Sequence, residues 1–277
     1  MKLYKTTKGI FLQNDGSVYK LDYQWDELIN RDGLYTFLAA VYHLATKVTN
    51  ANWQDGLLPP IENQEIWAAG VTYLQSRDAR VEESQSSGGS DLYKRVYDAE
   101  RPEIFFKSTA ARTVGHGQLI SIRKDSTWNV PEPELTLFIN SNGDIQGYTV
   151  GNDMSSRSIE GENALYLPQA KTYDKSAGIG PCLTVMPTAI SKETIISITI
   201  KRDDVTVYSD NTPLSRMKRS LEELAGFLFR ELSFPNGAFL MTGTCLVPPN
   251  DFTLAPGDVV EITIDGIGTL SNTVAYN

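Results

Sequence analysis

Two glutamates two residues apart, Glu132 and Glu134, open the apolar alternating run PEPELTLFI, and a third acid, Asp153, comes just past the next turn. On a strand, residues i and i+2 point the same way. Glu132 and Glu134 therefore share one face, while Leu135, Leu137 and Ile139 share the other and can pack on a core. Carboxylates side by side repel, and burial makes the repulsion worse. A solvated surface relieves it, and so does a bound cation. Mg²⁺ takes oxygen ligands in an octahedron and commonly keeps several waters, so three carboxylates leave positions open for a chelating substrate. The SNGD turn at Ser141–Asp144 separates two strand-like runs. If these pair as a hairpin, the chain brings Asp153 back near the two glutamates. No His or Cys accompanies the acids, which argues against zinc.

The elements that must position these acids are mostly strands. From Arg101 onward, EIFFK, QLISIR, ELTLFI, IQGYTVG, CLTVM, IISITIKRDD, VTVYSD, AFLMTGT, DVVEITIDG and GTLSNTVA are short, β-rich and punctuated by Gly, Pro, Asn or Asp. One helix interrupts them. Thr212-Pro213 reads as its N-cap and first position, followed by Leu214, Met217, Leu221, Leu224, Leu228 and Leu232 at helical spacing. Near the N-terminus, GIFLQNDGSVYKLDY predicts a hairpin turning at Asp15-Gly16, and WDELINRDGLYTFLAAVYHLATKV predicts partly helical structure. The Pro59-Pro60 pair in LLPPIENQEIWAAG reads as a linker. It divides a small N-terminal α/β domain, residues 1–60, from a larger domain, residues 61–277, which carries the acids. Gln75–Glu103 is charged, poor in apolar residues and contains SSGGS. It reads as a solvated helix and loop, or as a lid over a site. The fold class expected is mainly β with a few helices (α+β), without regular βα alternation.

The 277 residues permit one large domain or two modest ones, with 41% hydrophobic and 21% charged residues. A formal net charge of −9 argues against a nucleic-acid partner, which needs a basic face. No apolar run is long enough to cross a membrane and no signal peptide opens the chain, so a cytoplasmic protein is expected. Cys182 and Cys245 sit in apolar surroundings and read as buried thiols of a reducing compartment.

The order of motifs now matters. Glu132-Pro133-Glu134, then GYTVGNDMSSR at Gly147–Arg157, then Lys171, then Gly180-Pro181, and later Met241-Thr242-Gly243-Thr244 resemble the fumarylacetoacetate hydrolase superfamily over residues 65–277. RPEIFFK at Arg101–Lys107, GHG at Gly115–Gly117, PEPEL and NALYLPQAK resemble the branch that dehydrates 2-keto-3-deoxy sugar acids. The resemblance implies a mixed β-sandwich roll with a small N-terminal domain. It implies Mg²⁺, or Mn²⁺ or Ca²⁺ in its place, held by Glu132, Glu134 and Asp153. It also implies a small 2-oxo acid as ligand, and a homo-oligomer. Lys171 is the candidate base for a C3 proton and Glu103 the candidate acid for the departing C4 hydroxyl. Elimination, a second loss of hydroxyl and tautomerisation would then give a 2-oxo aldehyde acid. His116, Thr72, Gly243 and Thr244 are candidate substrate contacts. Arg157 is expected to brace the acids and Asp174 to hold Lys171. Hydrolases of the superfamily often carry a histidine after a G-x-N-Y motif; here the stretch is GVTYLQS and the position is Ser76. A C–C hydrolase needs a base for its water, so this loss weakens the hydrolase reading. The rivals are an acylpyruvase-type C–C hydrolase, a decarboxylase or isomerase of the superfamily, and a non-catalytic oxo-acid binding protein.

Overall fold

β-Branched and aromatic residues fill the strands from the first residues onward. The computed structural model describes residues 1–75, 81 and 90–277. The expected lid falls partly, and Ser76 wholly, outside them. The N-terminal strands are β1 (Lys2–Thr6), β2 (Gly9–Asn14), β3 (Ser17–Leu21) and β4 (Thr46–Val48). Next come β5 (Glu65–Gly70), β6 (Glu103–Thr109), β7 (Thr113–Val114), β8 (Leu119–Ile122) and β9 (Asn129–Val130). The centre holds β10 (Pro133–Ile139), β11 (Ile145–Asp153), β12 (Ser155–Ser156) and β13 (Ala177–Thr184). The remainder are β14 (Ile195–Arg202), β15 (Val205–Pro213), β16 (Ala238–Met241), β17 (Val259–Ile264) and β18 (Gly268–Tyr276).

Two main sheets, a two-stranded ribbon of β9 and β12, and a helical layer result among the described residues. The large sheet runs β4-β3-β2-β1-β13-β11-β10-β16-β5-β6, with β7 beside β13. The small sheet runs β15-β14-β17-β18-β8. Leu135, Leu137 and Ile139 of β10 and Val150 of β11 meet Ile196, Ile198, Ile262 and Leu270 of the small sheet in one core. On the opposite face Phe138 packs on Phe239, ring centroids 5.1 Å apart. These join Leu28, Ile29, Leu34 and Leu38 from the helices Trp25–Ile29 and Leu34–Val41 in a second core. Each fully buried side chain of this size is worth about 1.5–3 kcal/mol. β10 is buried along its whole length. Its pleat sends Glu134 and Phe138 to one side and the Leu–Leu–Ile set to the other.

The hairpin at Asp15-Gly16 forms as expected, with φ of 45° and 74° at the turn. Other elements differ from the sequence reading. The first 60 residues do not close a sheet of their own, because β1 pairs with β13 and extends the large sheet. Soon after the Pro59-Pro60 pair comes β5, which lies parallel to β16 and antiparallel to β6 in the same large sheet. The helix expected from Thr212 starts later. Thr212 pairs with Ile196 in the β14–β15 ladder, and the α-helix spans Leu221–Leu228. Ser220 is the N-cap, its Oγ accepting the Glu223 N–H at 3.1 Å, with Glu222 and Glu223 at the positive end of the helix dipole. Leu232 lies beyond it and is 44% exposed. A capping serine is replaced by alanine at a loss of about 1 kcal/mol. Ser220→Ala should lower the urea midpoint accordingly, and an unchanged midpoint would contradict this helix start.

Candidate metal centre and active site

The hairpin of β10 and β11 turns at Ser141–Asp144 and sets Pro133 opposite Asn152 and Glu134 opposite Gly151. The Asp153 N–H donates to the Glu132 carbonyl at 3.0 Å, which brings the third acid beside the first. One carboxylate oxygen from each of Glu132, Glu134 and Asp153 lies within 4.8 Å of the others, and all three residues are buried.

Buried charges need countercharges, and three cations surround the acids. Arg157 Nη2 lies 2.6 Å from Glu132 Oε1. Lys171 Nζ lies 2.6 Å from Glu132 Oε2 and 3.0 Å from Asp153 Oδ2, and donates to Ser155 Oγ at 2.6 Å. Lys107 Nζ lies 2.5 Å from Asp153 Oδ1 and donates to the carbonyls of Met154 and Lys171 at 2.9 and 2.5 Å. Burial pulls the Lys107 ammonium below the ordinary lysine range, while Asp153 pushes it back up.

Glu134 is in a different position. No salt bridge reaches it among the described residues; its Oε2 accepts the Gly243 N–H at 2.6 Å. Burial, then the charges of Asp153 and Glu132, raise its carboxyl well above the ordinary range. A divalent cation between the three carboxylates would supply the countercharge that Glu134 lacks. The acids, with Lys171, Arg157, Gly70, Val71 and Phe105, border a void of about 10 Å³, room for about one water-sized sphere. The all-oxygen donor set suits Mg²⁺ and not zinc. On donor chemistry, burial and space, the residues fit the ion.

The remaining candidates distribute as follows. Gly243 and Thr244 border the void. Gly243 has φ of 93°, and a Cβ there would overlap Thr72 Oγ1, so glycine is what lets this loop carry its N–H to Glu134. Thr72 stands behind the loop, its hydroxyl donating to the Thr242 carbonyl at 2.7 Å. Glu103 begins β6, opposite Gly70 of β5, and is not itself among the residues that border the void; it adjoins the void through Gly70. His116 is not brought to the void. Its Nδ1 accepts the Ser271 N–H at 3.2 Å, on the β18 side. Asp174 does not hold Lys171: it is exposed and pairs with Arg112 at 3.1 Å. Lys171 is held instead by Glu132, Asp153 and Ser155. Arg157 braces Glu132 as expected. Sequence reading passed over Lys107 and Ser155. For Lys107 a signal existed: in EIFFK the alternation places Glu103, Phe105 and Lys107 on one face, and Phe105 borders the void. Val71 also borders it, with φ of 54°, a strained value for a β-branched residue.

The chain is similar to several known proteins. Residues 65–275 match the family described as fumarylacetoacetate (FAA) hydrolase C-terminal. A Haloferax volcanii protein described as "Probable 2-keto-3-deoxyxylonate dehydratase" is 54% identical over 217 residues, covering 78% of this chain and 73% of that one. A 2-dehydro-3-deoxy-D-arabinonate dehydratase of Saccharolobus solfataricus is 43% identical over 214 residues, covering 76% and 72%. A solved structure of 2-keto-3-deoxy-D-arabinonate dehydratase complexed with magnesium and 2,5-dioxopentanoate superposes with a TM-score of 0.87 at 33% identity, covering 100% of this chain and 99% of that one.

Removing one partner of a buried ion pair leaves the other charge stranded, at about 3–5 kcal/mol. Lys107→Met should destabilise the protein by that order in urea unfolding, and a loss below about 1 kcal/mol would contradict the pairing with Asp153. Asp174→Ala, at an exposed pair, should stay within about 0.5 kcal/mol of the parent in the same assay.

Proposed function

Because the chain belongs to the fumarylacetoacetate hydrolase family, we propose that it is a Mg²⁺-dependent dehydratase. It removes water from a 2-keto-3-deoxy sugar acid such as 2-keto-3-deoxy-D-arabinonate and gives 2,5-dioxopentanoate. The observation that carries this reading is the buried Glu132–Glu134–Asp153 cluster with Lys171 against two of its members, in a chain 54% identical to a dehydratase-like relative. The relatives' substrate names converge chemically. Xylonate and arabinonate of one D or L series differ at C2 and C3, which become the ketone and the methylene. At one C4 configuration, both names denote the same 2-keto-3-deoxy acid.

Glu132, Glu134 and Asp153 would hold the cation, which when bound polarises the substrate's keto group and acidifies the C3 hydrogens. Lys171, whose Nζ lies against Glu132 and Asp153, is the proposed base for a C3 proton, once its carboxylate partners are engaged elsewhere. Glu103 gives a proton to the C4 hydroxyl, which leaves as water. A single water separates substrate from product, so the second loss of hydroxyl expected from the sequence is replaced by a proton shift. C5 gives up a hydrogen as a proton, C3 gains one, and the resulting C4–C5 enol tautomerises to the aldehyde. Arg157 holds Glu132 and the Gly243 N–H holds Glu134, so neither carboxylate must reorganise during the reaction. Gly243 and Thr244 are the proposed substrate contacts, with Thr72 supporting their loop. His116, away from the void, is left out of this role.

The reading places the enzyme in the cytoplasm, where Cys182 and Cys245, both buried and free, would stay reduced. No helix among the described residues is long and apolar enough to cross a membrane. A homo-oligomer remains part of the proposal, and light scattering reads its mass.

Incubation with Mg²⁺ and 2-keto-3-deoxy pentonates and hexonates should yield a 2-oxo aldehyde acid. Lys171→Ala and Glu103→Gln should each lower kcat by about 10²–10⁴-fold, the range for a general acid or base. Full activity in both variants would remove the assigned roles. Cleavage of acetylpyruvate in place of sugar-acid dehydration would move the reading to a C–C hydrolase. Binding of the acid without turnover would move it to a binding protein.

A further inference from the structure

Gly70 ends β5 directly opposite Glu103, the first residue of β6. A Cβ built on Gly70 would overlap Glu103 Oε2 and stand 2.7 Å from Cδ and 3.3 Å from Cγ, and these are its three nearest neighbours. Gly70 also borders the void with Glu132, Glu134, Asp153 and Lys171. Glu103 does not itself border the void; its carboxylate fills the place that a side chain on Gly70, which does border it, would take. The backbone does not demand glycine here, since Gly70 is absent from the residues with positive φ. Glycine inside a strand normally weakens it and marks a close approach. The preceding residues of β5, Ala68 and Ala69, are buried with a methyl each. Space for one carboxylate is what distinguishes position 70.

We propose that Gly70 is a positioning residue for Glu103: its missing side chain seats the carboxylate at the pocket wall, within reach of the substrate's leaving hydroxyl. The atoms a methyl at position 70 meets first are all in the flexible side chain of Glu103, which can swing away. The fold thus tolerates the change, while the proton donor moves off its mark. A misplacement of about 1 Å in a reacting group can lower the rate by about 10²-fold. The inference rests on the reading of Glu103 as the acid.

The test compares Gly70→Ala, Glu103→Gln, Glu103→Ala and the doubles Gly70→Ala/Glu103→Gln and Gly70→Ala/Glu103→Ala. The readouts are kcat and KM on a 2-keto-3-deoxy pentonate, Mn²⁺ affinity by electron paramagnetic resonance, and the urea midpoint. Gly70→Ala should lower kcat by about 10²-fold with KM, Mn²⁺ affinity and midpoint close to the parent's. In the Glu103→Gln background the same methyl should change kcat little, because the proton it displaces is already gone. Loss of activity in Glu103→Gln with full activity in Gly70→Ala overturns this inference and leaves the acid role standing. Full activity in Glu103→Gln removes the acid role itself. An equal loss from the methyl in both backgrounds also overturns the inference. If Gly70→Ala fails to fold, the Glu103→Ala pair decides. With the carboxylate removed, the added methyl should leave the midpoint where Glu103→Ala has it, and a further drop would place the obstacle in the backbone and overturn the proposal.

Discussion

Three carboxylates buried within 4.8 Å of one another repel, and the surrounding structure is organised around that repulsion. Two like charges at 4 Å cost about 4 kcal/mol at an effective dielectric of 20, and each buried charge carries a desolvation penalty besides. Arg157 and Lys171 answer Glu132, while Lys171 and Lys107 answer Asp153. Among the described residues Glu134 accepts a backbone N–H and forms no ion pair, with Lys171 acting on it from a distance. That asymmetry leaves one carboxylate without an ion-pair partner among the described residues, and it is the physical reason the site calls for a cation.

The fold holds this cluster by using both faces of one hairpin. Leu135, Leu137 and Ile139 are locked into the core between the two sheets, and Phe138 into the core beneath the N-terminal helices. A slip of β10 by one residue would drive Glu134 into the apolar core and expose the leucines' partners, so the register is strongly specified. The cations arrive on separate elements: Lys107 from β6, Arg157 from just after β12, and Lys171 from the end of the helix Leu167–Lys171. Lys107 bonds the backbone of both Met154 and Lys171, tying the carboxylate-bearing strand to the helix that carries the proposed base.

The acids were legible in the sequence because alternation and a turn are local signals. Glu132-x-Glu134 and SNGD suffice to place Asp153 in a hairpin, and the resemblance points to Lys171 and Glu103. The cations' pairing was not legible to the same degree. Asp174 stands three residues from Lys171 and looked like its partner, yet the chain turns it outward to Arg112. Lys107 was passed over, because its partners lie 46 residues and more away in sequence and only the folded sheet brings them together. The helix start failed for a related reason. A Thr-Pro pair is a good local cap, but the ladder with β14 takes Thr212 into a strand, and tertiary pairing overrides local preference. The place of β5 in the large sheet was hidden because its strand partner β16 lies some 170 residues later.

The account turns on the claim that Glu132, Glu134 and Asp153 together hold one divalent cation. Calorimetric titration of chelator-treated protein with Mg²⁺ tests it directly, beside Glu134→Gln at the carboxylate without a chain countercharge. The account predicts one Mg²⁺ per chain for the parent and loss of that binding in the variant, with both proteins folded. Binding of Mg²⁺ unchanged by Glu134→Gln, or no binding to the parent with and without a 2-oxo acid, would contradict it.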